Sequence, residues 1–200
     1  YSAGGKTLLS KSTIKNELPI YGGYFSGENN NYIVFGQNNK NENNSAEIIR
    51  IVKYSKNWSR ISDCKIYGSN TTAPFNAGSL RMIELDGKLY VYTCHEMYAD
   101  SNNLNHQANM LFTVDESTMK TTDSMYEVSN LQNGYVSHSY NQFIASDGAY
   151  IYRVDHSESN EMTMQGKYLS VNGITLSKYS KSASSTNVAV TVPVKFDIHS

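Results

Sequence analysis

The sequence predicts an all-β protein of the β-propeller type, made of three four-stranded antiparallel units. Three observations predict this class. A strand–turn–strand pattern recurs three times along the 200-residue chain, polar hairpin turns fall at matching places in each copy, and no window shows sustained helical periodicity. The composition agrees, because the chain has 16 Tyr and tyrosine favours a half-buried pleated surface. The predicted units span residues 18–68, 76–130 and 136–182.

The first hairpin of each unit is the clearest part of the repeat. The three copies lie in residues 22–37, 78–95 and 138–156. Each copy has a tyrosine at the equivalent place, and these are Tyr32, Tyr90 and Tyr150, which are separated by 58 and 60 residues. Asp-Gly pairs at 86–87 and 147–148 predict tight turns in the second and third copies, because such turns need positive φ. Residues 27–31 form a longer turn in the first copy.

A second hairpin follows the first one in each unit. Residues 47–61 hold β-branched residues before a polar turn at 55–57, and residues 109–119 have the same pattern with a turn at 115–118. The third copy is weaker and predicts strands at 168–171 and 174–179, joined by a turn at Asn172-Gly173. Each unit therefore has four predicted strands.

Three units are too few for a closed propeller, which typically has about 4–8 blades. Three arrangements remain open: the chain is part of a longer repeat protein, several chains assemble, or the units form something other than a propeller. Residues 186–200 read as the start of a further strand or as a ring-closing strand. We expect further blades from the parent chain or from another subunit.

Charge and hydropathy exclude two classes of partner. The net charge is -1 and the sequence pI is about 6.6, so the chain lacks the basic surface that nucleic-acid binding needs. No apolar stretch is long enough for a membrane helix. Cys64 and Cys94 form neither a disulfide framework nor a metal motif, and either a single bridge or two free thiols is compatible with the sequence. Low charge with many Asn, Ser and Tyr residues fits an extracellular bacterial protein.

Five segments resemble repeats of large secreted or surface-attached proteins of clostridia-like bacteria. These segments are residues 22–25, 51–54, 93–98, 106–110 and 137–143. The resemblance implies propeller-like architecture and a location outside the cell, secreted or attached to the surface. It implies no catalytic residues, because those proteins have no established activity.

The repeat places several polar residues at one end of the predicted blades. His138 precedes a first strand, Arg81 begins one, and His95 and His156 follow second strands. Because these chain positions meet at one face of a propeller, we expect the four side chains to approach a shared surface. The predicted ligand-binding residues are His95, Tyr98, His138, Asn141, His156, Arg81 and Trp58.

Three chemistries are compatible with this set. The histidines can hydrogen-bond neighbouring loops and join the blades, they can bind a sugar or another polar ligand, or they can hold a metal. Weak metal candidates are His95, His106, His138 and His156, although no His-Glu-x-x-His spacing is present. Asp100 and Asn102 offer oxygen ligands for calcium without the EF-hand spacing. No other cofactor is expected.

The function predicted from these features is a binding or adhesion module of a bacterial surface protein. Its partner would be a glycan or an extracellular protein. One alternative is a polysaccharide lyase or hydrolase, in which His138, His95 or His156 provides acid–base chemistry and Arg81 neutralises a substrate carboxylate. The other alternative is a structural spacer.

Overall fold

The computed structural model describes residues 2–8, 11–76, 79–122, 138–162, 168–181 and 190–195. These residues contain no helix, and accordingly none that is long and apolar enough to cross a membrane. They form thirteen strands: β1 (Ile20–Ser26), β2 (Asn30–Gly36), β3 (Glu47–Ser55), β4 (Arg60–Tyr67), β5 (Ala73–Pro74), β6 (Arg81–Leu85), β7 (Lys88–Ala99), β8 (Asn105–Asp115), β9 (Lys120–Thr121), β10 (Tyr140–Ser146), β11 (Tyr150–Met162), β12 (Tyr168–Ser180) and β13 (Val190–Lys195).

The first sheet is an antiparallel meander with the order β1-β2-β3-β4. Its central strands are apolar on both faces: Val34 and Ile51 face the second sheet, whereas Ile33 and Val52 face away from it. We call the second of these the outward face of the first sheet. Burial on both faces explains why β2 and β3 are nearly continuous hydrophobic runs instead of alternating ones.

The second sheet is built around β7, which pairs with β8 on one side and with both β5 and β6 on the other. Asp86 and Gly87 have φ angles of 52° and 71°, so the predicted two-residue turn between β6 and β7 is confirmed. The turn predicted after β8 is also confirmed. There, one Asp115 carboxylate oxygen accepts hydrogen bonds from the N–H groups of Ser117 (3.1 Å) and Thr118 (2.8 Å).

The third sheet has the order β10-β11-β12-β13. The turn predicted at Asn172-Gly173 is wrong, because β12 continues through both residues, which pair with Glu158 and Ser157 of β11. A long neighbouring strand lets these residues pair without interruption, and this outweighs the local turn preference. Residues 190–195, within the predicted tail, pair with β12 as the outer strand of this sheet. The predicted positions 77–78, 123–130, 136–137, 163–167, 182, 186–189 and 196–200 lie outside the described residues.

The three sheets stack face to face in chain order. The first strands contact one another, β1 with β6 and β6 with β10, and the outer strands β4 and β9 also meet. The core between the first two sheets is the larger one: Tyr32, Val34, Ile48, Ile49, Ile51, Cys64, Ile66, Leu80, Met82, Leu89, Val91, Met110, Phe112, Val114 and Met119. A smaller cluster joins the second sheet to the third: Tyr90, Tyr92, Leu111 and Ile151. The result is an all-β stack of antiparallel sheets.

The two cysteines occupy different layers of this stack. Both are buried free thiols, with Cys64 in the core between the first two sheets. The Cys94 Sγ lies 2.8 Å from the backbone oxygen of Asn76. Burial raises the pKa of each thiol to about 11, so both are protonated at neutral pH and are poor nucleophiles.

Candidate functional site

His95 lies on β7 beside β5 and does not reach the surface. It is 1% exposed and pairs with Pro74 across the β5–β7 ladder. Its Nδ1 is 2.6 Å from the Thr71 Oγ1, and its Nε2 has no hydrogen-bond partner within the part of the chain that the structure describes. Burial lowers the pKa of His95 to about 3. The ring is therefore neutral at pH 7 and inaccessible to a ligand at the surface.

His138 lies just before β10. His156 lies in the part of β11 that pairs with β10. The His138 N–H donates a hydrogen bond to the Gln107 oxygen at 2.9 Å, which ties the third sheet to the second. His156 is exposed, and its ring centroid is 6.3 Å from that of its cross-strand partner Tyr140. Asn141 is exposed with a φ of 51°. Of these residues, His156 and Asn141 are open to solvent.

Tyr98 and Arg81 have different surroundings. The Tyr98 hydroxyl accepts a 3.0 Å hydrogen bond from the Asn39 Nδ2, which fixes β7 to the loop after β2. The Arg81 guanidinium carbon lies 5.3 Å from the Phe143 ring centroid, and both side chains are exposed. Arg81 and Phe143 belong to the first strands of adjacent sheets, so this contact lies on the exposed edge where β6 meets β10.

A buried polar cluster between the second and third sheets was missed by the sequence analysis. The Tyr92 hydroxyl donates to the Asp155 Oδ2 at 2.5 Å, and the Ser139 hydroxyl donates to Oδ1. The Arg153 guanidinium lies 5.3 Å from the Tyr92 ring. Burial raises the pKa of Asp155, and the hydrogen bonds from Ser139 and Tyr92 oppose that rise. Alternation in β11 could have revealed the cluster, because Ile151, Arg153 and Asp155 occupy one face.

Asp100 directs its carboxylate oxygens into its own loop. Its Oδ1 accepts hydrogen bonds from the N–H groups of Asn102 (2.8 Å) and Leu104 (3.0 Å), and its Oδ2 lies 3.0 Å from the His106 Nε2. The interaction with His106 is the largest of several that lower the pKa of Asp100 to about 2. Among the described residues, no group of three or more His, Cys, Asp or Glu side chains is placed to hold a metal ion.

Trp58 lines a groove of about 510 Å³ on the outward face of the first sheet. Residues 11–19 have no regular secondary structure and cross this face. We call them the N-terminal strap. Ile14 and Leu18 of the strap pack on the apolar outward face. The groove lies between strap and sheet and is lined by Thr13, Ile14, Lys15, Asn16, Glu17, Arg50, Tyr54 and Trp58.

Three aromatic rings meet beside the groove. The Trp58 ring centroid is 5.6 Å from that of Tyr24 and 5.9 Å from that of Tyr54. Trp58 lies in the turn between β3 and β4 with a φ of 66°, a left-handed conformation that is uncommon for a bulky residue. Tyr24 remains 49% exposed. Tyr54 is buried, so the accessible part of this aromatic cluster is the Tyr24 ring together with the partly exposed Trp58 ring.

Glu17 and Arg50, two of the charged residues that line the groove, are paired with each other. Glu17 of the strap binds Arg50 at 3.2 Å and Arg60 at 2.8 Å. Arg50 also binds Glu47 at 2.6 Å, and Arg60 also binds Asp63. The hydrogen bond from Arg60 is the main reason why the pKa of Glu17 is lowered. Each guanidinium thus already has carboxylate partners.

Acidification should release the strap through Glu17. The folded protein favours ionised Glu17, so its contribution is complete above the ordinary pKa of 4.5 and is lost as the pH falls through the lowered value. Trp58 is the only tryptophan, and we expect its emission to shift to longer wavelength as the strap detaches. In Glu17→Gln the shift should already be present at neutral pH. Glu28→Gln, at an exposed position, should titrate like the wild type; superimposable profiles for all three proteins would refute the role of Glu17.

Comparisons with known proteins do not assign the chain to a family. No protein-family description matches it, and no curated protein matches it. The similar solved structures include the GH43 BlXynB protein from Bacillus licheniformis, at 10% identity and a TM-score of 0.28, over 88% of this chain and 41% of that one. They also include its K247S mutant, at 8% identity and a TM-score of 0.28, over 91% and 43% of the two chains. The chain spans less than half the length of these proteins, and similarity at this level supports no conclusion about activity.

Proposed function

We propose that this chain is a glycan-binding module of an extracellular bacterial surface protein. The observation that supports the proposal is the meeting of Trp58, Tyr24 and Tyr54 at the mouth of a polar groove. Aromatic rings offer flat apolar surfaces, and tyrosine and tryptophan add a polar edge. A sugar ring has the matching chemistry, with C–H groups on its faces and hydroxyl groups around its rim.

The pairing of charges favours an uncharged glycan in this groove. Arg50 and Arg60 share the Glu17 carboxylate, so an acidic sugar would have to displace the strap before it met either guanidinium. Asn16, Thr13 and Lys15 remain as lining groups that can hydrogen-bond to hydroxyls. A neutral oligosaccharide is therefore the ligand class that we assign to the groove.

The stack also supports a propeller as the parent architecture. The first strands of consecutive sheets contact one another, and the outer strands of the first two sheets also meet, which is the packing of neighbouring blades.

Fluorescence titration of Trp58 tests the proposed function directly. A panel of neutral oligosaccharides should include one that shifts the emission to shorter wavelength as it covers the indole. We expect Tyr24→Ala to weaken that ligand by about tenfold, since loss of a stacked ring removes roughly 1–1.5 kcal/mol. Tyr67→Ala removes another exposed tyrosine, 50% accessible and outside the groove, and should bind normally. The proposal fails if no neutral glycan binds, or if the two variants weaken binding equally.

A further inference from the structure

We infer that the outward face of the third sheet is a second binding surface, specific for acidic polysaccharides. This face is the side of the third sheet that is turned away from the second. The groove lies on the first sheet, so the two surfaces are separated by the second sheet. The inference therefore goes beyond the neutral-glycan site and does not depend on it.

Register places exposed aromatic residues in successive rows on this face. Tyr140 pairs with His156, and Phe143 pairs with Val154 in the next row. Tyr152, which lies two residues before Val154 in β11, pairs with Lys178 of β12. Phe143 is 52% exposed, and Tyr140 and Tyr150 are 36% and 40% exposed. These rings do not belong to either core between sheets, so they are available to a partner.

Two cations rest on the rings of this face. The Arg81 guanidinium lies 5.3 Å from the Phe143 centroid, and the Lys178 ammonium lies 3.8 Å from the Tyr150 centroid and 5.5 Å from that of Tyr152. A cation over an aromatic ring can still donate its N–H groups to other partners. Arg81 donates one N–H to the Leu80 oxygen at 3.1 Å, and Lys178 interacts with the Tyr152 hydroxyl and with the nearby Asp147 carboxylate. The remaining donors suit a carboxylate or a sulfate.

The contrast with the groove determines the ligand class. In the groove, Arg50 and Arg60 are paired with carboxylates, whereas Arg81 and Lys178 have aromatic neighbours. The carboxylate near Lys178 is that of Asp147, which accepts a 2.6 Å hydrogen bond from the Tyr152 hydroxyl. Charge complementarity therefore favours an anionic partner at the Arg81 end and along the rows of rings.

The spacing of the two cations favours a polymer over a single sugar. Arg81 contacts Phe143 on β10 and Lys178 lies on β12, so the two cations meet the sheet at strands whose backbones are about 10 Å apart across the sheet. Exposed rings lie along the way, so an acidic chain can stack its sugar rings while its anionic groups meet the two cations. One monosaccharide would reach only one of them.

Binding of two polyanions and one neutral polymer tests the inference. We expect polygalacturonate, which carries carboxylates, and dextran sulfate to bind the wild type and to be released by salt, whereas uncharged dextran does not bind. Arg81→Gln/Lys178→Gln should weaken polyanion binding by at least about tenfold, since both substitutions remove a cation that makes charge-assisted hydrogen bonds to the anionic groups. Binding of polygalacturonate alone assigns the site to carboxylates, and binding of dextran sulfate alone assigns it to sulfates. Failure of both to bind overturns the inference.

Two control variants distinguish a specific site on this face from general charge attraction and from the groove. Lys40→Ala/Lys120→Ala removes two positive charges at exposed positions elsewhere; an equal loss of affinity would show non-specific charge attraction and would overturn the inference. Tyr24→Ala should bind polyanions normally, so failure of the groove and failure of this surface are distinguishable.

Sedimentation velocity tests whether a second copy of this chain binds to this face. The inference would also be overturned by two results together. The protein is a dimer that Phe143→Ser converts to a monomer, and Arg81→Gln/Lys178→Gln binds polyanions as well as the wild type does.

Discussion

Replacing Asp155 with alanine is expected to lower the free energy of unfolding by about 3–5 kcal/mol. Asp155 is fully buried and accepts hydrogen bonds from the Tyr92 and Ser139 hydroxyls. It also lies in the field of the buried Arg153 guanidinium. Removing the carboxylate deprives two buried hydroxyls of their acceptor and takes away a negative charge near the guanidinium. The loss therefore combines an electrostatic and a hydrogen-bonding cost.

Urea unfolding followed by far-ultraviolet circular dichroism measures this effect. Asp86→Asn is the control, because asparagine tolerates the φ of 52° at this position and removes only an exposed pair with Lys181, and such pairs contribute about 0–1 kcal/mol. Hydrogen exchange should show the loss in β10 and β11, where the cluster joins the third sheet to the second. A destabilisation by Asp155→Ala no larger than that of Asp86→Asn would disprove the role of the cluster.

Replacing Gly36 with valine is expected to lower the free energy of unfolding by about 3 kcal/mol, at the upper end of typical overpacking costs. A Cβ at Gly36 would lie 2.6 Å from the Phe75 Cε2 and 2.8 Å from the Pro74 Cγ. Gly22, near Gly36 on the adjacent strand, approaches the same ring, at 2.7 Å from a virtual Cβ. The Phe75 side chain thus fills a space that exists only because neither glycine has a side chain.

Thermal and urea unfolding of three variants separate this effect from the effect of valine at any glycine. Gly4→Val should be nearly neutral, because nothing lies within 4 Å of a Cβ built there. The cost of Gly36→Val should fall sharply in a Phe75→Ala background, because the clash partner is gone and the two changes couple. Equal costs with and without the Phe75 ring would contradict the steric interpretation.

Local signals in the sequence were sufficient for the hairpins. Asp86-Gly87 adopts the positive φ angles that its composition predicts, and the tyrosine repeat marks second strands in all three sheets. The same kind of signal failed at Asn172-Gly173, since a long partner strand pairs with both residues. A turn dipeptide favours a turn only through the conformational preference of a few residues. A continuous β-ladder instead gives the residues along the strand hydrogen-bonding partners on the neighbouring strand.

The candidate site was less accessible to prediction. Trp58 was recognised as a ligand-binding candidate, but the groove that it lines also needs Glu17 and Arg50, which the repeat pattern does not connect to it. His95 was predicted at a shared surface, and the structure places it beside Pro74 in the sheet with 1% exposure. Position in a repeat identifies the end of a strand and does not show what covers that end.

The amino-acid sequence by itself determined the β class, the order of the hairpins and the tight turn at Asp86-Gly87, because these follow from contacts within a few tens of residues. Tertiary structure alone decided that the strap crosses the first sheet, that Asp155 is buried against Tyr92, and that Arg81 rests on Phe143. The last two contacts join residues of different sheets, and Tyr92 and Asp155 are 63 positions apart. They depend on how sheet faces stack, which alternation along one strand does not specify.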